Sequence, residues 1–247
     1  FWIEALESVQ RALATKPNGP PAEVRDRLII LRDRLRPTDL ASRLRFSVTE
    51  SPWGLLHHDD EDTDEGSLSE RLVRPARQLA RELASNPEQL VPYLPSLVRR
   101  QQRQAFAFGD TLAREVTDPK LLLMPILAAT AVTPERELDS ALLGGYLHGL
   151  NHRDASQVET TLEACAQIPE TRHLLPYLTA VVGVTSARLA RLRELAATKT
   201  INPWHFAQLA GGRALDELPP SDVSPFLSTL IDAGGAAYDV AIQVLGM

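Results

Sequence analysis

The chain has 247 residues, 44% hydrophobic but only 5% aromatic, so it can bury a sizeable core that Leu and Ala must mostly fill. Its formal net charge of −6 is local: the run His57-His58-Asp59-Asp60-Glu61-Asp62-Thr63-Asp64-Glu65-Gly66 holds six acids, and the other 26 acidic residues balance 26 basic ones. That balance argues against a dominant nucleic-acid-binding face. One cysteine excludes an internal disulfide, and the longest apolar stretch, Leu121 to Val132, is broken by Pro125 and Thr130 and falls short of the ~20 residues a membrane span needs.

In chain order, Phe1 to Arg36 reads as two helices joined by Lys16-Pro17-Asn18-Gly19-Pro20-Pro21. Leu6, Val9 and Leu13 make one apolar stripe, and Val24, Leu28, Leu31 and Leu35 make another. The second helix alternates Arg25, Arg27, Arg32, Arg34 and Arg36 with Asp26 and Asp33, as a salt-bridged exposed face would. Pro37-Thr38-Asp39-Leu40 starts a third helix, which Ser51-Pro52-Trp53-Gly54 ends. Residues 1–50 thus form an N-terminal helical segment and residues 51–67 an acidic, solvated linker. Asp60, Asp62 and Asp64 alternate as in a calcium loop. Glu65 stands where that loop needs Gly, however, and Arg71 where it needs a bidentate Glu, so no metal is expected.

From Leu68 to Met247 the 3.6-residue period continues and strand alternation is nearly absent. Stripes run through Leu68, Leu72, Val73, Ala76, Leu79, Ala80 and Leu83, through Phe108, Leu112, Ala113 and Val116, and through Leu138, Ala141, Leu142 and Leu150. A last one comprises Leu189, Leu192, Leu195 and Ala196. Asn86-Pro87, Asp118-Pro119, Thr133-Pro134 and Asn202-Pro203 each place a capping side chain before a proline suited to the first helical position. Arg99, Arg100 and Arg103, among Gln101, Gln102 and Gln104, form a purer basic patch that could meet an acidic partner or phosphate; a solvated face is the plainer alternative. His148 and His152 share a helical face near Asp154 and read as exposed histidines at a helix end. Cys165 lies on the stripe Val158, Leu162, Cys165 and Ala166, as a small core residue. Trp204, after the Asn202-Pro203 cap, is expected to pack in the core.

Val91-Pro92-Tyr93-Leu94, Met124-Pro125-Ile126-Leu127, Leu175-Pro176-Tyr177-Leu178 and Ser224-Pro225-Phe226-Leu227 share one pattern, with prolines 33, 51 and 49 residues apart. Segments containing Gly109, Gly144 or Gly246 often follow. On these residues, 68–247 resembles the HEAT and armadillo-like α-solenoids, with irregular intervals and no clear Asp and Arg ladder between helices. The resemblance implies an all-α fold of stacked antiparallel helical hairpins, with glycines letting helices approach. The Pro37-Thr38-Asp39-Leu40 helix, Pro52-Trp53-Gly54, the acidic run and the repeats together resemble the helical sensor region of large bacterial signal-transducing NTPases of the STAND type.

P-loop, G-x-G-x-x-G, G-x-S-x-G and H-E-x-x-H patterns are absent, and Gly211-Gly212-Arg213 reads as a helix end. No catalytic, cofactor-binding or metal-ligating residue is assigned, and no enzymatic activity is expected. The apolar ends, Phe1-Trp2-Ile3 and Val244-Leu245-Gly246-Met247, read as cut points of a longer chain. The expected function is a cytoplasmic, non-catalytic protein-recognition or scaffold domain with an unidentified protein partner and no membrane contact. The alternatives are a regulatory region of a signalling or defence NTPase and, against the charge balance, a helical-repeat nucleic-acid binder.

Overall fold

The computed structural model describes residues 2–14, 20–49, 67–211 and 214–245, and among these it holds no strand beyond one isolated bridge, Arg99 to Leu138. The fold is all-α, in agreement with the periodicity. No helix of the described residues is long and apolar enough to cross a membrane. The acidic run, Ser51 to Gly54, Gly212-Arg213 and Gly246 lie outside the described residues.

Two helices, α1 (Trp2–Ala14) and α2 (Ala22–Leu35), pair with each other. The stripe of α1 is buried at Leu6 and Val9, and Trp2 meets Phe46 with ring centroids 6.0 Å apart. The stripe expected on α2 is not a core face: no residue of this helix is buried, and Val24, Ile30 and Leu31 are exposed. Its packing is with α1, which covers only part of its circumference. The Arg32–Asp33 pair at 3.0 Å fits the charged face read from the sequence. The third helix, α3 (Leu40–Leu44), is capped by Asp39, whose carboxylate accepts from Ser42 N at 2.9 Å, and it continues as a π turn over Arg45–Thr49. Arg43 of α3 pairs with Glu82, and this hydrogen bond holds the Glu82 carboxyl below its ordinary pKa.

Beyond residue 67 the elements alternate between two rows. One row contains α4 (Leu68–Ala84), α6 (Ala105–Glu115), α8 (Ala141–Asn151), α11 (Leu175–Val182), a 3₁₀ segment (Pro203–Ala210) and α14 (Ala236–Leu245), each packed on the next. The other contains the 3₁₀ segment Pro87–Tyr93 with α5 (Leu94–Leu97), then α7 (Lys120–Ala131), α9 (Ala155–Gln167) with α10 (Pro169–Arg172), α12 (Ser186–Thr198) and α13 (Pro220–Ala233). Within either row successive elements begin roughly 30 residues apart, a spacing compatible with a helical repeat.

That spacing re-registers the proline pattern. Pro92, Pro125 and Pro225 all lie in the second row, while Pro176 is in α11 of the first. The 51- and 49-residue intervals therefore cross from one row to the other, and the four motifs are not equivalent. Leu94 and Leu178 are nonetheless both core residues, at 2% and 0% exposure.

Helix α8 is the centre. Leu142 to Leu147, Gly149 and Leu150 are all buried, so it is surrounded on every side, as a helix apolar around its whole circumference must be. It can lie this close to α6 only because glycines line the contact. A methyl at Gly109 would stand 2.6 Å from the Leu142 carbonyl oxygen. Methyls at Gly145 and Gly149 would collide with the carbonyl oxygens of Phe106 and Asp110. Gly144 faces Tyr177 of α11 instead.

Helix ends are closed by two devices. Asp118 and Asn202 cap as their sequence positions suggest, accepting from Lys120 N at 2.9 Å and Trp204 N at 3.1 Å. Asn86 makes no side-chain cap, and neither does Thr133, whose hydroxyl donates back to the Ala129 carbonyl at 2.8 Å. The second device is arginine. Arg153 donates to the carbonyls of Ala113 (2.8 Å) and Val116 (2.6 Å) at the end of α6. Arg172 donates to Ala166 (2.9 Å) at the end of α9, and buried Arg188 to Val182 (2.9 Å) and Gly183 (2.6 Å) at the end of α11. Each satisfies carbonyls left open by the helix and places a cation at the negative end of its dipole.

Two outcomes follow. Gly145→Ala in an ordinary helix interior would stabilise by about 1 kcal/mol; here it should destabilise by about 1–3 kcal/mol or more, because backbone must move. Gly211→Ala, whose methyl would meet nothing nearer than 3.7 Å, should be close to neutral, and paired denaturant melts check the contrast. Leu94→Ala and Leu178→Ala should each cost about 2–5 kcal/mol in the same melts; a variant melting like the parent would remove that residue from the core.

Candidate functional site

The loop after α5 is where the chain departs most from helical geometry. Arg100 has φ +60, a conformation natural to glycine and costing other residues roughly 1–2 kcal/mol. Lys199, the other non-glycine residue of this kind among the described residues, simply ends α12 as a left-handed cap. Arg100 is held by its surroundings: its N–H donates to the Glu137 carbonyl at 2.7 Å, while Asp139 N donates to Val98 O at 2.8 Å.

Asp139 anchors the rest of the loop. One carboxylate oxygen accepts from Gln102 N at 2.6 Å and the other from Ala141 N at 2.8 Å, so one side chain joins the loop to the first turn of α8. The Gln102 amide nitrogen donates inward to Arg99 O at 2.6 Å and Ser96 O at 3.1 Å. Gln104 N donates to Val48 O at 2.9 Å, fastening the far end of the loop to the π turn. Gln102 is buried while Arg99, Arg100, Gln101 and Arg103 are exposed.

The result is an open cleft of about 820 Å³ between the α3 region, α5 and this loop. Its lining includes four arginines, Arg45, Arg99, Arg100 and Arg103, and one acid, Glu137. Tyr93 and Pro95 supply apolar surface beneath them, backed by the buried Leu44 and Leu97. The ion pairs nearby join other residues: Arg43 with Glu82, Arg81 with Glu115 and Arg136 with Glu137. Among the described residues, Arg99, Arg100 and Arg103 have no ion-pair partner. The basic patch singled out in the sequence is thus one rim of a cleft. The sequence did not reveal the apolar floor, Arg45 or the anchoring by Asp139; the only signal for the last was an Asp just before a helix.

A second cleft of about 370 Å³ lies on the other side of residues 135–139 and is lined by His173, His205, Tyr177 and Glu135, among others. His205 pairs with Glu135 at 3.1 Å, and the two imidazoles stand 5.3 Å apart. His173 Nε2 is buried without a hydrogen-bond partner. Burial pushes the His173 pKa down from 6.5; Glu135 opposes this shift and His205 adds to it. Burial likewise pushes the Tyr177 hydroxyl up to about 12.

The other candidates have structural roles. His148 is not simply exposed at a helix end: it is half-buried, and its Nδ1 lies 2.7 Å from the Asp110 carboxylate, which also accepts from Arg114 at 3.0 Å. The carboxylate can only accept, so the imidazole N–H donates, and the pair ties α8 to α6. His152 stacks edge-on against His148 at 5.1 Å, while Asp154 turns away to cap α9 through Gln157 N. Among the described residues no group of three His, Cys, Asp or Glu converges as a metal site. Cys165 is buried in the core and its thiol is pushed up to about 11. Trp204 is half-exposed rather than core: Phe206 and Leu209, three apart on the 3₁₀ segment, face inward, and Trp204 lies off that stripe.

The second cleft makes a pH prediction. Burial lowers the His173 pKa in the fold, while in the unfolded chain it takes up a proton near 6.5, so its protonation favours unfolding. Stability should fall as the pH drops through and below 6.5. His173→Asn should flatten that part of the curve, as thermal melts across a pH series would show; an unchanged slope would assign the dependence elsewhere.

Comparison with family models, curated proteins and solved structures finds no match.

Proposed function

We propose that this chain is a non-catalytic protein-recognition domain built on a HEAT-like helical array, with the arginine-lined cleft as its working surface. The observation that supports this most is the backbone of Arg100. A residue kept in a glycine conformation, at a cost to folding and within a loop anchored by backbone and Asp139 hydrogen bonds, fits a requirement for its side chain there. The loop around it is rigid, so little entropy is lost when a partner engages it. An apolar floor beneath a charged rim also has the anatomy of a protein interface. The two rows of helices suit a scaffold, since each element needs only its neighbours for support and leaves long surfaces open.

Cross-linking of the full-length protein in its native cells tests this reading. A defined heteromeric product is expected with the parent and should be lost when Arg99 and Arg103 are changed to Glu. Arg193→Glu, an exposed residue on α12 away from the cleft, should retain it. If the product survives the change of Arg99 and Arg103, recognition lies on another surface.

A further inference from the structure

Resting on the assignment of this cleft as the recognition surface, we infer that its occupant is an acidic, extended peptide segment that inserts an apolar side chain between carboxylates. The charge is the first reason. Among the described residues of the lining one carboxylate, Glu137, faces Arg99, Arg100 and Arg103, which have no ion-pair partner among the described residues and leave this rim positive. Guanidinium groups match carboxylates in a fork geometry, and an anionic ligand relieves the repulsion among them.

The lining also separates a peptide from a nucleic acid. Among the described residues one aromatic side chain, Tyr93, lines the cleft, whereas stacking of successive bases calls for several. Tyr93 and Pro95, backed by the buried Leu44 and Leu97, offer an apolar floor that no free phosphate would use and that an aliphatic side chain of a peptide can rest on. Apolar anchor and acidic flanks together define the ligand class.

Arg100 gives the test its leverage. In most binding sites the mutation that removes the ligand contact also threatens the fold. Here glycine is the residue that the backbone of position 100 favours, so Arg100→Gly removes the guanidinium while relieving strain.

Fluorescence anisotropy with the intact protein provides the measurement. The probes are a labelled glutamate-rich peptide with a central leucine, the same peptide with glutamine for glutamate, and a single-stranded oligothymidylate. The acidic peptide should bind, more weakly as salt rises, and Arg100→Gly should weaken it about tenfold with no fall in melting temperature. Arg103→Gln, at an exposed position, should act in the same direction. Parent-like binding by both variants, or equal binding of the glutamine peptide, would overturn the inference. So would an oligothymidylate bound as tightly and lost in the same variants, which would reassign the cleft to phosphate. If the cross-linked partner still depends on Arg99 and Arg103 while no acidic peptide binds, the recognition surface stands and only the ligand class fails.

Discussion

The closeness of α8 to α6 governs the rest of the molecule. Gly109 on one helix and Gly145 and Gly149 on the other bring backbone against backbone, where any Cβ would collide. Because the two helices nearly touch, Leu142, Leu143, Tyr146, Leu147 and Leu150 reach past α6 to neighbours on every side. Tyr146 crosses to the next layer and donates to the Pro119 carbonyl at 2.7 Å, fixing the start of α7. The His148–Asp110 pair seals the solvent edge of the same contact. A small-residue seam of this kind tolerates no gradual widening, so α6 and α8 behave as one rigid unit.

Arginine divides into two populations on this scaffold. Arg153, Arg172 and Arg188 spend their donors on open carbonyls at the ends of α6, α9 and α11, and Arg188 also reaches Glu159 at 2.6 Å, joining α9 to α12. These guanidinium groups are structural: each donates to carbonyls at the end of a helix other than its own. Arg99, Arg100 and Arg103 close no helix and have no carboxylate partner among the described residues.

Asp139 connects the two themes. By accepting from Ala141 N it starts α8, the helix on which the core depends, and by accepting from Gln102 N it positions the arginine loop. The arginine-lined cleft is therefore tied to the helix at the centre of the core rather than appended to it. This explains how a strained Arg100 can persist: the cost is borne by a loop whose hydrogen bonds lead directly to the core.

Much of the fold was written in local pattern. Apolar positions three and four apart marked the buried faces of α4, α6 and α12, and the all-α class followed, because a helix face is set by residues within two turns of each other. Asp118 and Asn202 could be placed as caps for the same reason, whereas Asn86 and Thr133, read from the same pattern, make no cap. What tertiary structure alone decided involves partners distant in sequence. That Gly145 meets the Phe106 backbone was decided by the placement of α6, and the exposure of Val24 and Leu31 follows from α2 packing on α1. The proline motifs pointed to a repeat, but their true register emerged only when Pro176 fell in the other row. The arginine patch was visible as composition; its meeting with Arg45, Leu44 and Glu137 across a cleft, and the glycine-like backbone of Arg100, follow from contacts with α3 and residues 137–139 that no local period encodes.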